Sequence, residues 1–333
     1  MIFADDAMFC RYEQKTEGNF MLFLVYFLAI LKYIIYGMSV FFTGSLVEST
    51  DVLDVLALRF LFSFVVFEIL RRTKILKINV GLKDCFCKTE RSKYIKSLVL
   101  AALFEPVLYM FFEIMGISMT TGVMAGVILS LSPVSSVICE SIILKDKTSI
   151  LEKIFLALGI AGVMYIAINT GSHDGKNTVF GMLFIVLAVM CGSLFSVFSR
   201  KSSGKFTSME ITYFSTLLGV IAFNSVNVVR HLVNGSISDY FKPYMNVQNM
   251  IGFVFLSVIS TIIATGMNNF ALSKIKSSTM SAFGGVSTLV TISSGVILNN
   301  EVLYTYHYIG ITFILIRMIG VCYIVYKQNK NIK

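Results

Sequence analysis

The sequence predicts an all-α, polytopic membrane protein with ten transmembrane helices in two inverted five-helix repeats. Three observations predict it. Ten apolar stretches of membrane-crossing length run along the chain, basic residues gather at one side of the loops between them, and the two halves share a register at an offset of 155 residues.

A helix crossing the hydrocarbon core needs roughly 20 mostly apolar residues. Such runs fall near 20–44, 52–70, 96–116, 119–143, 149–168, 178–199, 209–229, 249–272, 279–299 and 303–326. The first follows a segment, 1–19, that carries Asp5, Asp6, Glu13 and Glu17 and lacks a basic n-region, so it is read as a cytoplasmic segment and not a signal peptide. The second holds Arg59 about two turns in, with Asp51 and Asp54 close by. The third follows the basic stretch 71–96 and carries Glu105, Tyr109 and Glu113. The fourth contains Pro133 amid Ser130, Ser132, Ser135 and Ser136, and the fifth follows Asp146.

The second half repeats this spacing. Gly192 lies in the sixth run, Asn268-Asn269 in the eighth, and Gly284, Gly285 and Gly295 in the ninth. Glu301 precedes the tenth, which contains Arg317 and leads to a cytoplasmic tail, 327–333. The repeats are thus 20–168 and 178–326. The offset superposes Tyr36-Gly37 on Cys191-Gly192, Asp146 on Glu301, Ser132 on Ser287 and Glu113 on Asn268. Five-helix halves joined in tandem enter the membrane in opposite senses, an architecture that serves alternating access.

Composition narrows the function. With 56% hydrophobic and 14% charged residues, little is left for a soluble domain. Of 28 Lys and Arg, 22 fall in segments that are cytoplasmic if the N-terminus is inside, three in outer loops and three within helices, so both termini are expected in the cytoplasm of a plasma-membrane protein. The net charge of +9 follows from that topology, and nucleic acid is not expected as a partner. Cys85 and Cys87 with three scattered histidines do not make a metal site, and no disulfide is expected. Phosphate-binding glycine loops and nucleophile elbows are missing, so neither ATP-driven transport nor hydrolysis is expected, and no cofactor.

Several stretches carry a resemblance: Tyr36-Gly37-Met38-Ser39 with Ala57-Leu58-Arg59-Phe60, Glu105-Pro106 through Glu113 to Gly116-Ile117, Leu131-Ser132-Pro133-Val134 through Lys145-Asp146 to Gly162, and in the second half Glu210-Ile211-Thr212, Ala271-Leu272-Ser273-Lys274 and Asn300-Glu301 to Gly310. Together they resemble the EamA-type branch of the drug/metabolite transporter superfamily over nearly the full chain. The resemblance implies ten helices, two EamA domains, a central cavity lined by the first, third and fourth helices of each half, and transport of small metabolites, often outward. The chain departs from the family pattern at Asp146, usually Glu, at Thr288, usually Pro, at Arg317, usually Gly, and at Tyr36, a common Trp position.

Ionisable residues inside the membrane are costly and mark substrate or ion paths. Glu105, Tyr109 and Glu113 follow i, i+4, i+8 spacing and line one helix face over about 12 Å. Glu113 is expected to read a substrate amine or a proton across the cavity from Asn268 and Asn269. Its alternative is a bond to the following loop that fixes the helix end. Lys32 is expected to meet a substrate carboxylate, to neutralise Glu105 or to snorkel inward, with Tyr36 beside it. Structural or gating roles are expected for Arg59, paired with Asp51 and Asp54, for Glu140 and Arg317, which pair or face separate partners, for Pro133 as a kink that frees carbonyls toward the cavity, and for Asp146 and Glu301.

Three functions stay open at this point: a secondary-active carrier of small metabolites such as amino acids, a membrane-embedded enzyme, which the sparse His and Asp disfavour, and a non-transporting receptor or scaffold. Expected partners are a small-molecule substrate and the lipid bilayer, and a homodimer stays open.

Overall fold

The computed structural model describes residues 3–76, 92–143, 145, 149–170, 178–275, 279–280, 283–298 and 302–331. Asp146 and Glu301, expected in structural or gating roles, lie outside the described residues. The described residues are helical and contain no strand, as the apolar runs predict.

The first helix, α1 (Phe3–Ser49), carries its membrane-length apolar stretch at Phe23–Ser49. Helix α2 (Val52–Arg72) starts where the Asp51 carboxylate accepts from the Leu53 amide at 2.9 Å, an N-cap that satisfies an otherwise orphaned donor. It ends where Glu68 pairs with Arg71 at 2.6 Å and Arg72 at 3.0 Å. Next come α3 (Ser92–Ala102) and α4 (Tyr109–Met119), joined through a π-helical turn, Leu103–Leu108. Two residues cause that break. Pro106 supplies no amide, and Glu105 leaves the helical region, with φ −140° and ψ 117°.

Helices α5 (Gly122–Leu129) and α6 (Ser132–Ile143) are separated by a turn at 130–131. Pro133 stands in the first turn of α6, where its missing amide costs nothing. Helices α7 (Ile150–Thr170) and α8 (Thr178–Ser202) follow. A capping box opens α9 (Ser208–Val233): the Thr207 hydroxyl accepts from the Glu210 amide at 3.3 Å while Glu210 accepts from the Thr207 amide at 2.8 Å. Two 3₁₀ turns, Ile237–Asp239 and Lys242–Met245, lead to α10 (Val247–Val254). A second π-helical segment, Phe255–Ala264, joins it to α11 (Thr265–Leu272), and α12 (Gly284–Leu298) and α13 (Thr305–Asn331) complete the chain.

Six described stretches are long and apolar enough to cross a membrane: Phe23–Ser49, Tyr94–Met119, Gly122–Ile143, Val179–Ser202, Ser208–Val233 and Asn249–Leu272. Lys153–Ile166, Gly284–Leu298 and Thr305–Val321 are shorter apolar helices. Large apolar side chains such as Ile142, Ile168, Phe180 and Ile319 stand exposed on the outside of the bundle, an arrangement that lipid favours and water does not.

Small residues let the helices meet closely, as lipid-embedded packing requires. A Cβ on Gly37 of α1 would lie 2.7 Å from the Ser287 carbonyl of α12. One on Gly162 of α7 would lie 2.9 Å from the Gly310 carbonyl of α13. The apolar core has one cluster around Leu46, Phe60, Ile114 and Phe253 and another around Met124, Ile128, Ile185 and Ile314. Between them the packed helices leave a polar space.

Candidate functional site

A cavity of about 80 Å³ occupies that space. From α1 it is lined by Lys32, Tyr33 and Tyr36, and from the π turn and α4 by Glu105, Tyr109 and Glu113. Ser132 and Ser136 come from α6, Gly192, Ser193 and Ser196 from α8, Asn268 from α11, and Gly284 and Ser287 from α12. The charged members are deeply enclosed: Lys32 is 5% exposed, and Glu105 and Glu113 are each 8% exposed.

The predicted face of the third apolar run is present. Glu105, Tyr109 and Glu113 all reach the cavity, although Glu105 itself leaves helical geometry. The Tyr109 hydroxyl donates to Glu113 Oε1 at 2.7 Å. That bond orients the carboxylate within the cavity, and Glu113 is not tied to the following loop among the described residues. Gly192 faces the Tyr109 ring, where a Cβ would lie 3.1 Å from it.

Lys32 is held by aromatic faces. Its Nζ lies 3.7 Å from the Tyr33 ring centroid and 4.3 Å from that of Tyr36, a contact that stabilises a cation through the ring quadrupole. Among the described residues it forms no salt bridge with Glu105. Tyr36 in turn shares a hydrogen bond with Thr265 Oγ1 at 3.1 Å. The cavity therefore brings a lysine and two carboxylates to one space, with the Asn268 amide, 4% exposed, also in its lining.

The other predicted residues are placed differently. Asn269 is not part of the lining: its Nδ2 donates to Thr212 Oγ1 at 2.9 Å and its Oδ1 accepts from Ser199 at 2.8 Å, tying α11 to α9 and α8. Arg59 does not pair with Asp51 or Asp54. It donates from Nε to Thr261 Oγ1 at 3.0 Å and from Nη2 to Ser260 Oγ at 3.1 Å, on the second π segment. Asp54 instead meets His231 at 2.8 Å, Asn227 at 2.9 Å and Arg230 at 2.8 Å, and Asp51 pairs with Arg230. These bonds bind the start of α2 to the end of α9.

Glu140 forms a 3.3 Å ion pair with Arg200 of α8. Arg317, fully buried, donates to the Ser130 carbonyl in the break ahead of Pro133, so the carbonyl freed there serves an arginine. Beside the Asp54 cluster the 3₁₀ turns are strapped down. Tyr240 donates to Asn224 Oδ1 at 2.6 Å and Tyr244 to the Leu58 carbonyl at 2.9 Å, and burial raises both phenol pKa values above their ordinary value.

Thr265, Ser193 and Ser196 were not anticipated as neighbours of the cavity. Ser193 and Ser196 are legible in retrospect from Val189, Gly192, Ser193 and Ser196, which recur at i, i+3, i+4 and i+7 along one helix face.

The EamA-like transporter family profile matches residues 23–168 and again 179–325. The chain is 30% identical over 295 residues to the "uncharacterized transporter YcxC" of Bacillus subtilis, covering 89% of this chain and 91% of that one. It is 27% identical over 203 residues to the "uncharacterized transporter YetK" of the same organism, covering 60% and 59%. A solved crystal structure shares the fold with a TM-score of 0.57 at 16% identity, covering 92% of this chain and 97% of its own.

Proposed function

The chain belongs to the EamA-like transporter family, and on that premise we propose that it is a secondary-active carrier that moves small charged or zwitterionic metabolites such as amino acids by alternating access. The observation that carries the proposal is the enclosed cavity lined by Lys32 together with Glu105 and Glu113. A solute with a carboxylate and an amine meets both signs of charge there. Lys32 would take the carboxylate and Glu113, held by Tyr109, the amine, with Asn268 and Tyr36 adding hydrogen bonds.

The same reading has ten spans in two inverted repeats, 20–168 and 178–326. Its support is a pairing of contacts across the halves. The helix carrying Lys32 packs on the Phe255–Ala264 segment and on α12, and its counterpart α8 packs on the Leu103–Leu108 turn and on α5 and α6. The symmetric partners α2 and α9 pack on each other, as do α7 and α13. Glu113 and Asn268, and Ser132 and Ser287, are related by the 155-residue offset, and each pair contributes both members to the cavity. A pseudo-two-fold arrangement of this kind lets one set of contacts open as the other closes. Termini in the cytoplasm of a plasma-membrane protein fit the 22 of 28 basic residues counted on one side, and outward transport is the direction proposed.

Counterflow tests the proposal. Proteoliposomes preloaded with single unlabelled amino acids, amines or nucleobases are given the labelled solute, with and without a pH gradient. Saturable exchange of an amino acid supports the reading, and its response to the gradient reports proton coupling. Silence across the panel overturns the substrate class and favours a non-transporting role.

A further inference from the structure

Behind the main cavity lies a second one of about 20 Å³, large enough for a single water-sized particle. Glu105 lines both. The rest of the polar wall is hydroxyls: Thr212, Ser215, Thr216, Thr261 and Thr265.

The protons of four of these hydroxyls are engaged by backbone carbonyls. Thr212 donates to Ser208 at 2.9 Å, Thr216 to Thr212 at 2.8 Å, Thr261 to Leu256 at 2.8 Å and Thr265 to Ser260 at 3.4 Å. Thr212 also accepts from Asn269, Thr261 from Arg59, and Thr265 shares a bond with Tyr36, so what these three offer the cavity is one remaining lone pair each. Ser215, 5% exposed, has no hydrogen-bond partner for its Oγ among the described residues. Glu105 likewise accepts no hydrogen bond and forms no salt bridge among the described residues. A buried polar group without a partner is costly, and Ser215 facing a small space that the Glu105 carboxylate also lines points to an occupant.

The backbone around the space is irregular on two sides. Glu105 and Pro106 belong to the first π turn, and Thr261 belongs to the second π segment. Membrane carriers place coupling cations at such breaks in paired helices, near the repeat interface. Two charges oppose this. Lys32 shares the main cavity with Glu105, and Arg59 donates to Thr261 and Ser260, so their fields weaken a cation held at Glu105 and make the site one of low affinity.

We propose that this cavity binds a single dehydrated sodium ion, with Glu105 as its charged ligand and Ser215 and the threonine hydroxyls as neutral ones. Because Glu105 also lines the main cavity, one carboxylate faces both the ion and the space of the solute. That coupling role rests on the carrier reading, whereas sodium binding does not.

The test uses the full chain in lipid nanodiscs, in sodium, potassium and N-methylglucamine chloride at equal ionic strength. Melting temperature and bound radioactive sodium are both measured. The expected result is a saturable rise in melting temperature specific to sodium. Ser215→Ala raises the half-saturating concentration by about tenfold, the equivalent of roughly 1.4 kcal/mol, and Glu105→Gln abolishes the effect. Equal melting in all three salts with no bound sodium overturns the proposal and leaves a water in the cavity. A sodium effect unchanged in both variants overturns it too, by placing the ion elsewhere. Should Glu105→Gln fail to fold, Ser215→Ala and wild-type sodium binding decide. Counterflow of the same protein in proteoliposomes reports the carrier reading separately, since sodium binding needs no transported solute.

Discussion

Arg59→Ala is expected to lower stability by removing a tie between α2 and the second π segment, not by breaking an ion pair. The guanidinium is 1% exposed and makes two bonds, to Thr261 at 3.0 Å and to Ser260 at 3.1 Å. A hydrogen bond from a charged donor contributes about 1.5–3 kcal/mol, so the two together amount to roughly 3–6 kcal/mol. Against that, the variant no longer buries a charge, and part of the desolvation cost is recovered. Thr261 also keeps its bond to the Leu256 carbonyl, which leaves Ser260 as the more exposed loss. A net destabilisation of about 2–4 kcal/mol follows. Arg59→Met, which retains most of the side-chain volume, should lose less, because it avoids the void left by alanine.

The chain has no tryptophan, so unfolding in detergent is best followed by circular dichroism, with all variants compared at one scan rate. The decisive comparison is a double-mutant cycle with Asp54→Asn. Arg59 and Asp54 have no hydrogen-bond partner in common among the bonds described, so their effects should add to within about 0.5 kcal/mol. A coupling of several kcal/mol would restore the Arg59–Asp54 pair and refute the placement of Arg59. Unchanged melting of Arg59→Ala would refute the stabilising role altogether.

Glu113→Gln keeps an oxygen for the Tyr109 hydroxyl but loses the charge; exchange in proteoliposomes should be abolished or shifted in pH while melting stays near wild type, and wild-type exchange at every pH would remove Glu113 from the mechanism. Asn269→Ala leaves Ser199 and Thr212 without their amide partners, so it should cost about 2–3 kcal/mol of stability while the solute concentration for half-maximal exchange is unchanged; a large rise in that concentration at normal stability would place Asn269 in the binding site after all. Gly37→Ala puts a methyl 2.7 Å from both the Ser287 carbonyl and Val290 Cβ and should destabilise by about 1–3 kcal/mol through overpacking; a melting temperature equal to wild type would show that α1 and α12 separate without cost.

What was legible in the sequence was what a helix's own period determines. Glu105, Tyr109 and Glu113 recur at four-residue intervals and do share the cavity, and the 155-residue offset that matches Glu113 with Asn268 joins two residues that both line it. The same period explains two expectations that did not survive. At about 100° per residue, Asp54 and Arg59 are five steps and about 140° apart around α2, so they face different neighbours: Asp54 turns to α9 and Arg59 to the second π segment. Asn268 and Asn269 are one step apart, so only one of them turns to the cavity, and the other bonds to α8 and α9. Nearness along the chain is a poor guide to pairing in a helix, whereas angular position is a good one. The aromatic cradle of Lys32 lies within α1, where Tyr33 and Tyr36 stand one and four residues further on. The hydroxyl-lined space behind Glu105 depends on more than one helix, because it is lined from both π segments and from α9 and α11. Neither half alone contains it, so a pattern read along one helix at a time passes over the place where one carboxylate faces both the proposed ion and the space of the solute.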